Sequence, residues 1–591
     1  MPATSPVNLE SFIRSILIEH QAVREADFDE SILEPSDQLR LGIIVGPLKV
    51  TSISEATPVR PAAIEATPLD PASFSTGKFN PGSTLIQIPI NCDPSAIDPA
   101  LKWKIGPDGA TCQPKGPIPP SIQIGTTFFL RDPSIDYLRN LPKLLRDSIP
   151  PLTGTPATIT WPHSNEDGQH ALPRLLVSTP NASPSTARER ALAACLNEFN
   201  PLLMVKGPPG TGKTHLLAEV AGTLAKNNIT VMICAVAHAA VDNALSAINS
   251  AFPDIETYKY GRQDKQTIVK PRVPFGIVIA AAQYRLKKDP VADVLLLDEA
   301  GQIPAFYAAA LSRLARRTIL FGDESQLPCI LQGQHLPHTF GGSSAMDYLK
   351  AVLPSDYLLP LDRSHRMNRD ICALIQRHFY PDIPSLQPAD SANADARLIS
   401  TDGNNNLPSL RQIRLTHARP CLTHSPEEVQ AVLDYVRTLL TDYQLTACPL
   451  GTRPLAPADI AILTPYRQQT QALRKALDAD PRLKDIKLVG TVDKMQGQGA
   501  PVLIYSLATS SPDHIAAQAE WLFSSNRWNV ALSRAMAHAV VLGDITSHLN
   551  ATPTTIPGWN AQRKIREVLE DQGWEGRIQK QSKELNYVQD N

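Results

Sequence analysis

Residues 207–214, GPPGTGKT, hold the clearest chemistry in this 591-residue chain. Gly207, Gly212, Lys213 and Thr214 meet the pattern G-x-x-x-x-G-K-[ST]. Such glycines let successive backbone N–H groups curl around an anion at a helix N-terminus. The stretch Gly207, Pro208, Pro209, Gly210, Thr211, Gly212, Lys213, Thr214 and His215 is therefore a candidate phosphate cradle. Lys213 would reach the β- and γ-phosphates and Thr214 would ligate Mg²⁺, so the expected cofactors are ATP, or another NTP, with Mg²⁺. A glycine loop that only caps a helix is the plainer alternative. The apolar run before it (202–205) and the helical pattern after it (215–227) are the context that phosphate binding needs.

Further polar residues stand at the ends of apolar runs, where ligands of open parallel sheets bind. VLLLDEAGQ (294–302) ends in Asp298, placed to hold Mg²⁺, and Glu299, placed to orient or deprotonate an attacking water. TILFGDESQLP (318–328) ends in Asp323 and Gln326, whose amide could sense the γ-phosphate. Arg366 sits in the polar break of LDRSHRMNRDI, and Arg534 closes NVALSRA (529–535). Single arginines are usually solvated, but two from a second domain facing a phosphate loop would stabilise the transferring phosphoryl group.

The elements that must position these residues read as α/β. LLMVK, TVMICAV (230–236), GIVIAA (276–281), VLLLDE and TILFGD are short apolar strands separated by helical sequence, which suits a parallel sheet covered on both faces. DIAILTPY (459–466), IKLVGTV (486–492), PVLIYSL (501–507) and HAVVLGD (538–544) form a second set. The fold expected is two tandem α/β domains, over 186–355 and 356–550, with a charged C-terminal tail at 551–591 that is helical in pattern in QRKIREVLEDQ. Residues 1–185 make an accessory region, helical at 9–26 and again, interrupted by Pro142, at 137–147. The rest of it is proline-rich and β-rich, with alternation in SFSTGKF and TLIQIPI.

Apolar residues make up 42% of the chain, as in a globular protein, and no apolar run nears the roughly 20 residues of a membrane span. A net charge of -2 excludes a globally basic nucleic-acid coat and leaves only a local groove for such binding. The scattered cysteines form no C-x-x-C pair. Together with the absence of a secretory leader, this points to a reducing intracellular compartment, cytoplasm or nucleus, and away from structural zinc.

Taken in order, these pieces resemble superfamily 1 helicases, and within them the group B branch that contains the nonsense-mediated-decay helicase. The likeness covers about 186–548. GPPGTGKT matches motif I, AVAHAAVDNAL (235–245) motif Ia, DEAGQ (298–302) motif II, and GDESQLP (322–328) motif III. RSHRM (363–367) is similar to the family's Q-Y-R-M, ILTPYRQQ (462–469) to motif IV, TVDKMQGQ (491–498) to motif V, and NVALSRA to motif VI. The resemblance implies two RecA-like P-loop NTPase domains clamping ATP, with Lys213, Thr214, Asp298, Glu299 and Gln326 from the first and Arg366 and Arg534 from the second. A stalk and small β-barrel would precede them. It also implies an NTP-dependent helicase or translocase moving 5′ to 3′ on single-stranded DNA or RNA. Because motifs Ia, IV and V line the strand path in this family, His238, Thr464, Tyr466, Thr491 and Gln496 are the implied nucleic-acid contacts. A nucleotide-switched remodeller without unwinding, and an inactive nucleotide-binding scaffold, are the competing readings. No nuclease signature is present.

The segment 258–272 interleaves Tyr258 and Tyr260 with five basic residues. It suits either a solvated loop or a strand-tracking edge. Departures from the family pattern cluster on base and ribose recognition. Arg188 stands where an adenine-reading glutamine is usual, Gly499 where motif V usually ends in glutamate, His365 for the tyrosine of Q-Y-R-M, and Met536 where lysine often follows motif VI. The phosphate-handling residues are intact, so selectivity among ATP, GTP and other NTPs should be loose. Side-by-side hydrolysis assays check this, and a strict preference for ATP would contradict it.

Overall fold

The computed structural model describes residues 15, 18–19, 22, 44–54, 62–69, 84–88, 102–106, 109–114, 122–131, 186–260, 273–282, 291–331, 333, 341–390, 393–447, 451–495 and 497–575. Two compact units result. One spans Glu10–Arg146 with Leu331–His335; the other takes Met1–Leu9, Asp147–Ile330 and Leu336–Asn591. Of the helix expected at 9–26, residues 15, 18, 19 and 22 are described, and all are helical. SFSTGKF, the interrupted helix at 137–147, and the basic residues 261–272 lie outside the described residues.

In the N-terminal unit six strands close into a barrel: β1 (Ile44–Ser54), β2 (Ala63–Pro68), β3 (Thr84–Ile88), β4 (Lys102–Gly106), β5 (Gly109–Cys112) and β6 (Thr127–Arg131), in the order β1-β2-β5-β4-β3-β6. Every described pairing is antiparallel. Strict alternation puts Ile64, Ala66, Ala110 and Cys112 inside, around Trp103 and Phe128. Closure removes the exposed edges that short, loop-rich strands would otherwise present. Gly109 is required at its turn, because a Cβ there would lie 2.3 Å from the Ala66 carbonyl oxygen.

The second unit carries two parallel sheets. Helix α1 (Ala187–Leu196) opens it, started by a capping box in which the Thr186 hydroxyl accepts from Glu189 N at 3.1 Å and the Glu189 carboxylate accepts from Thr186 N at 3.1 Å. The first sheet contains β7 (Leu202–Lys206), β8 (Val231–Ala235), β9 (Tyr258–Tyr260), β10 (Phe275–Val278), β11 (Ala292–Leu297), β12 (Ala315–Gly322) and β13 (Leu358–Pro360). Their order is β13-β7-β12-β11-β8-β10-β9, all parallel. Every residue of β7 and β8 is buried, as unbroken apolar strands under helices on both faces require. Helix α2 (Lys213–Lys226) follows β7, and α3 (His238–Ala251) follows β8. Helix α3 buries Val241, Ala244, Leu245 and Ile248, a helical spacing, on Gly276 of β10, where a Cβ would meet Val241 Cγ1 at 2.4 Å. The run expected as a strand over 276–281 pairs only to Val278, and Ile279–Ala282 turns helical.

Beyond β13 come two short paired strands, β14 (Arg363–Ser364) and β15 (Gln387–Pro388), and between them helix α4 (Arg369–Phe379). Asn368 caps α4 by accepting from Ile371 N at 3.0 Å, while its amide donates to the Ala396 and Ala537 carbonyls at 2.9 and 3.0 Å. A small sheet of β16 (Arg397–Ser400), β17 (Asn406–Leu407), β19 (Tyr443–Ala447) and β20 (Gly451–Pro454) flanks the main one. That main sheet orders β18 (Leu410–Arg414), β24 (Ala535–Gly543), β23 (Ala500–Ser506), β21 (Ile460–Thr464) and β22 (Leu488–Thr491), again all parallel. Helices α5 (Pro426–Asp442), α6 (Arg467–Asp478), α7 (Ser525–Leu532) and α8 (Ile556–Leu569) complete the unit.

Two boundaries differ from the sequence expectation. The first sheet continues past 355, because β13 hydrogen-bonds to β7. Residues 556–569 form a packed helix, since Ile565, Val568 and Leu569 join the same core as β23 and β24. Among the described residues no helix is long and apolar enough to cross a membrane.

Candidate functional site

Strands β7 and β8 are successive in sequence yet separated in the sheet by β12 and β11, so a crevice opens at the carboxyl end of β7. The phosphate-loop residues occupy it. Gly210 and Gly212 adopt the left-handed region, with φ of 76° and 78°, which turns the chain sharply into α2. The N-terminus of α2 receives no side-chain cap, which leaves its N–H groups for an anion. Segment 363–366 closes over the loop. The Ser364 hydroxyl donates to the Pro209 carbonyl at 3.0 Å, and His365 N donates to the Gly210 carbonyl at 2.8 Å. A Cβ on Gly210 would lie 2.5 Å from Arg366 Cβ, so glycine is what permits the approach.

The strand-end carboxylates meet the loop from β11. Lys213 Nζ lies 3.1 Å from Glu299 Oε2. Asp298 lies beneath, 3% exposed, accepting from Glu299 N at 2.9 Å. Glu299 itself has φ 54°, an unusual conformation for a non-glycine residue and a mark of local strain at a site. Burial works to lower the Lys213 ammonium, but Glu299, Asp298 and Asp323 outweigh it and hold its pKa above the ordinary value. Burial likewise pushes the Asp298 carboxyl up to about 6 against the pull of Lys213.

From the far side come the two arginines. Arg366 donates to the Ser533 and Gly497 carbonyls, both at 3.4 Å. Arg534, 1% exposed, donates to the Gln498 carbonyl at 3.0 Å and to Gln326 Oε1 at 3.3 Å. Burial first, and then the neighbouring Arg366, brings Arg534 down to about 9. Two desolvated guanidiniums held together form a site that favours arriving negative charge. The cleft, about 760 Å³, is lined by all nine loop residues, Glu299, Gln326, Arg366 and Arg534. Arg188, His365, Asn393, Gly497 and Met536 line the remainder, with the Arg188 guanidinium engaged by Glu219.

The residues expected on a strand path divide. His238 is exposed at the start of α3, beyond the end of β8. Thr464 is fully buried at the end of β21, so its side chain presents nothing to a ligand; the strand end itself holds it inside. Gln496 lies outside the described residues. Tyr466 and Thr491 line a second hollow, about 680 Å³, together with Arg467, His514, Trp521 and Arg527. The Tyr466 hydroxyl meets His514 Nε2 at 3.0 Å, and the Tyr466 and Trp521 rings lie 5.4 Å apart. Arg527 stacks on Trp521 at 4.9 Å and pairs with Asp493 at 2.9 Å. The sequence reading missed His514, Trp521 and Arg527; their signal was the aromatic and basic interleaving in HIAAQAEWLFSSNR.

Two parallel-sheet domains that bring arginines to a glycine-rich loop have the architecture of tandem P-loop NTPase domains. Comparison with known proteins agrees. Two family models, each described as an AAA domain, match residues 185–350 and 344–546. The chain is 24% identical over 417 residues to the DNA replication ATP-dependent helicase/nuclease DNA2 of Gallus gallus, covering 64% of this chain and 39% of that one. It is 23% identical over 377 residues to helicase/nuclease JHS1 of Arabidopsis thaliana, covering 58% and 27%. The crystal structure of an arterivirus nonstructural protein 10 (helicase) aligns over 79% of this chain and 77% of that one, at 15% identity and a TM-score of 0.35. These matches support a superfamily 1 helicase of the DNA2 and nonsense-mediated-decay type. The chain spans about two fifths or less of the length of these two relatives.

The raised Asp298 carboxyl has a consequence for stability. Its folded value of about 6 exceeds the roughly 3.9 of an unfolded chain, so the native state binds this proton more tightly. The group therefore costs stability above about pH 6, and the cost fades as pH falls toward about 4. Asp298→Asn should stabilise the nucleotide-free protein at about pH 8 by at most about 3 kcal/mol, seen as a higher Tm, with the margin gone near pH 4. Thermal unfolding across pH checks this; an unchanged Tm at about pH 8 would contradict it.

Proposed function

We propose that the chain is an NTP-dependent helicase or translocase on single-stranded nucleic acid. The observation that carries this reading is the reach of Arg366 and Arg534, from the second domain, to a cleft built on the phosphate loop of the first. A nucleotide there would bridge the two sheets, so its binding and loss would change the relation between them.

The roles follow from position. Backbone N–H groups of Gly210, Gly212, Lys213 and Thr214 and the Lys213 ammonium bind the phosphates. Thr214 and Asp298 fit a magnesium ion: the buried carboxyl, raised toward neutrality beside one ammonium, has capacity for a second cation. Mg²⁺ bound there would neutralise charge on the phosphates. Glu299 orients the attacking water and accepts its proton once nucleotide has drawn Lys213 away. Gln326 and the two arginines stabilise charge on the transferring group. The hollow of Tyr466, Thr491, His514, Trp521 and Arg527 offers aromatic faces beside cations, the chemistry that holds a strand by stacked bases and backbone. Family resemblance supports 5′ to 3′ movement.

Hydrolysis by the purified chain should rise on adding single strands, and matched DNA and RNA strands will show which is the substrate. Lys213→Ala should lower that rate by roughly 10²–10³-fold and abolish unwinding of a tailed duplex. Hydrolysis indifferent to both strands, or unwinding that survives the substitution, would overturn the reading.

A further inference from the structure

The cleft is held shut by a hydrogen-bonded ring that the nucleotide chemistry alone does not call for. At the end of α4, fully buried, the Tyr380 hydroxyl donates to Asp323 Oδ2 at 2.5 Å. The same carboxylate oxygen accepts from Gln326 Nε2 at 2.5 Å. With its amide nitrogen so engaged, Gln326 turns its oxygen to Arg534 Nη2 at 3.3 Å. Arg534 follows the end of α7, and on the preceding turn Asn529 Nδ2 donates back to the Tyr380 hydroxyl at 2.8 Å. Asp323 and Gln326 belong to the first domain; Tyr380, Asn529 and Arg534 belong to the second.

We propose that Tyr380 is a positioning residue for hydrolysis: by closing this ring it sets which end of Gln326 faces Arg534 and holds the guanidinium at the phosphate loop. The inference rests on the function proposed above. The Tyr380 hydroxyl touches both sides, bonded to the first-domain carboxylate and to the helix that leads to the arginine. The contacts around it fix backbone rather than the reacting groups. Asn529 also donates to the Ser325 carbonyl at 2.6 Å, and Asn526 to the Glu324 carbonyl at 2.8 Å. Lys206 pairs with Glu324 and Asp382 at 2.7 and 2.8 Å and lies 5.4 Å from the Tyr380 ring. These keep the domains in contact when the hydroxyl is removed, so losing it should loosen the alignment without opening the cleft. Arg534 Nε is buried with no hydrogen-bond partner, so the arginine keeps a donor in reserve for an anion.

Tyr380→Phe deletes the hydroxyl and keeps the ring. Per nucleotide-binding site, kcat should fall about tenfold or more, the scale expected when a reacting group is slightly misplaced. Nucleotide affinity and KM should stay within about threefold, since the phosphate loop is untouched. Tyr380→Phe combined with Asn529→Ala should fall little further than the worse single variant, because both break one ring. A variant with unchanged kcat per site, one whose affinity falls in step with kcat, or one that does not fold would overturn the assignment, since Tyr380 would then serve packing alone. A wild-type chain without hydrolysis would remove the proposed function, and this inference with it; an active wild type matched by the Phe variant removes this inference only.

Discussion

The structure depends on charge held in a cleft between two sheets. Lys213, Arg366 and Arg534 converge there with Glu299 and the buried Asp298, and burial weighs against the charged forms of Asp298 and the three cations. Arg366 adds to the depression of Arg534 by burial, while Lys213 is held by Glu299, Asp298 and Asp323. Such an arrangement is costly on its own and is relieved by a polyanion with its cation. The folds on either side make the arrangement possible. Unbroken apolar strands fix where the chain ends emerge, and Gly210 lets the second domain approach within contact distance of the loop.

That geometry ties nucleotide state to domain relation. The loop touches the second domain through Ser364 and His365, and the strand-end segment after β12 touches it through Asp323, Ser325 and Gln326. Phosphate occupancy therefore bears on contacts at two places along the interface. The hollow around Tyr466 and Trp521 lies in the second domain alone, and Arg527, which lines it, stands on the same helix as Asn529. A strand held there would feel any movement of that helix.

Much of this was legible in the sequence, for a physical reason. Fully buried parallel strands read as plain apolar runs, and the polar residues that end them must be either solvated or functional. Asp298, Glu299, Gln326 and the phosphate loop stood out on that account. What escaped notice did so because its signal is three-dimensional or masked. β13 is a partly exposed three-residue edge ending in proline and lacks any strand pattern of its own. QRKIREVLEDQ read as helical, but its charges hide the buried stripe of Ile565, Val568 and Leu569 that packs it against the second sheet. Thr464 was implied as a contact by its place in the stretch resembling motif IV, yet it is the last buried residue of its strand rather than the first free one. Tyr380 meets Asp323 from 57 residues away, and no local spacing announces that. The N-terminal region read as β-rich from its alternation; that its strands close into a barrel was implied by the resemblance alone, since the pairing of β1 with β6 leaves no local pattern.

The central claim is that nucleotide and nucleic acid are coupled through one interdomain cleft. The most direct measurement is the affinity of the protein for a fluorescent single strand, with and without a saturating non-hydrolysable nucleotide and Mg²⁺. Coupling predicts a shift of roughly 5- to 150-fold, matched by an equal shift in nucleotide affinity when the strand is saturating. Strand affinity that is the same in both states would contradict the account.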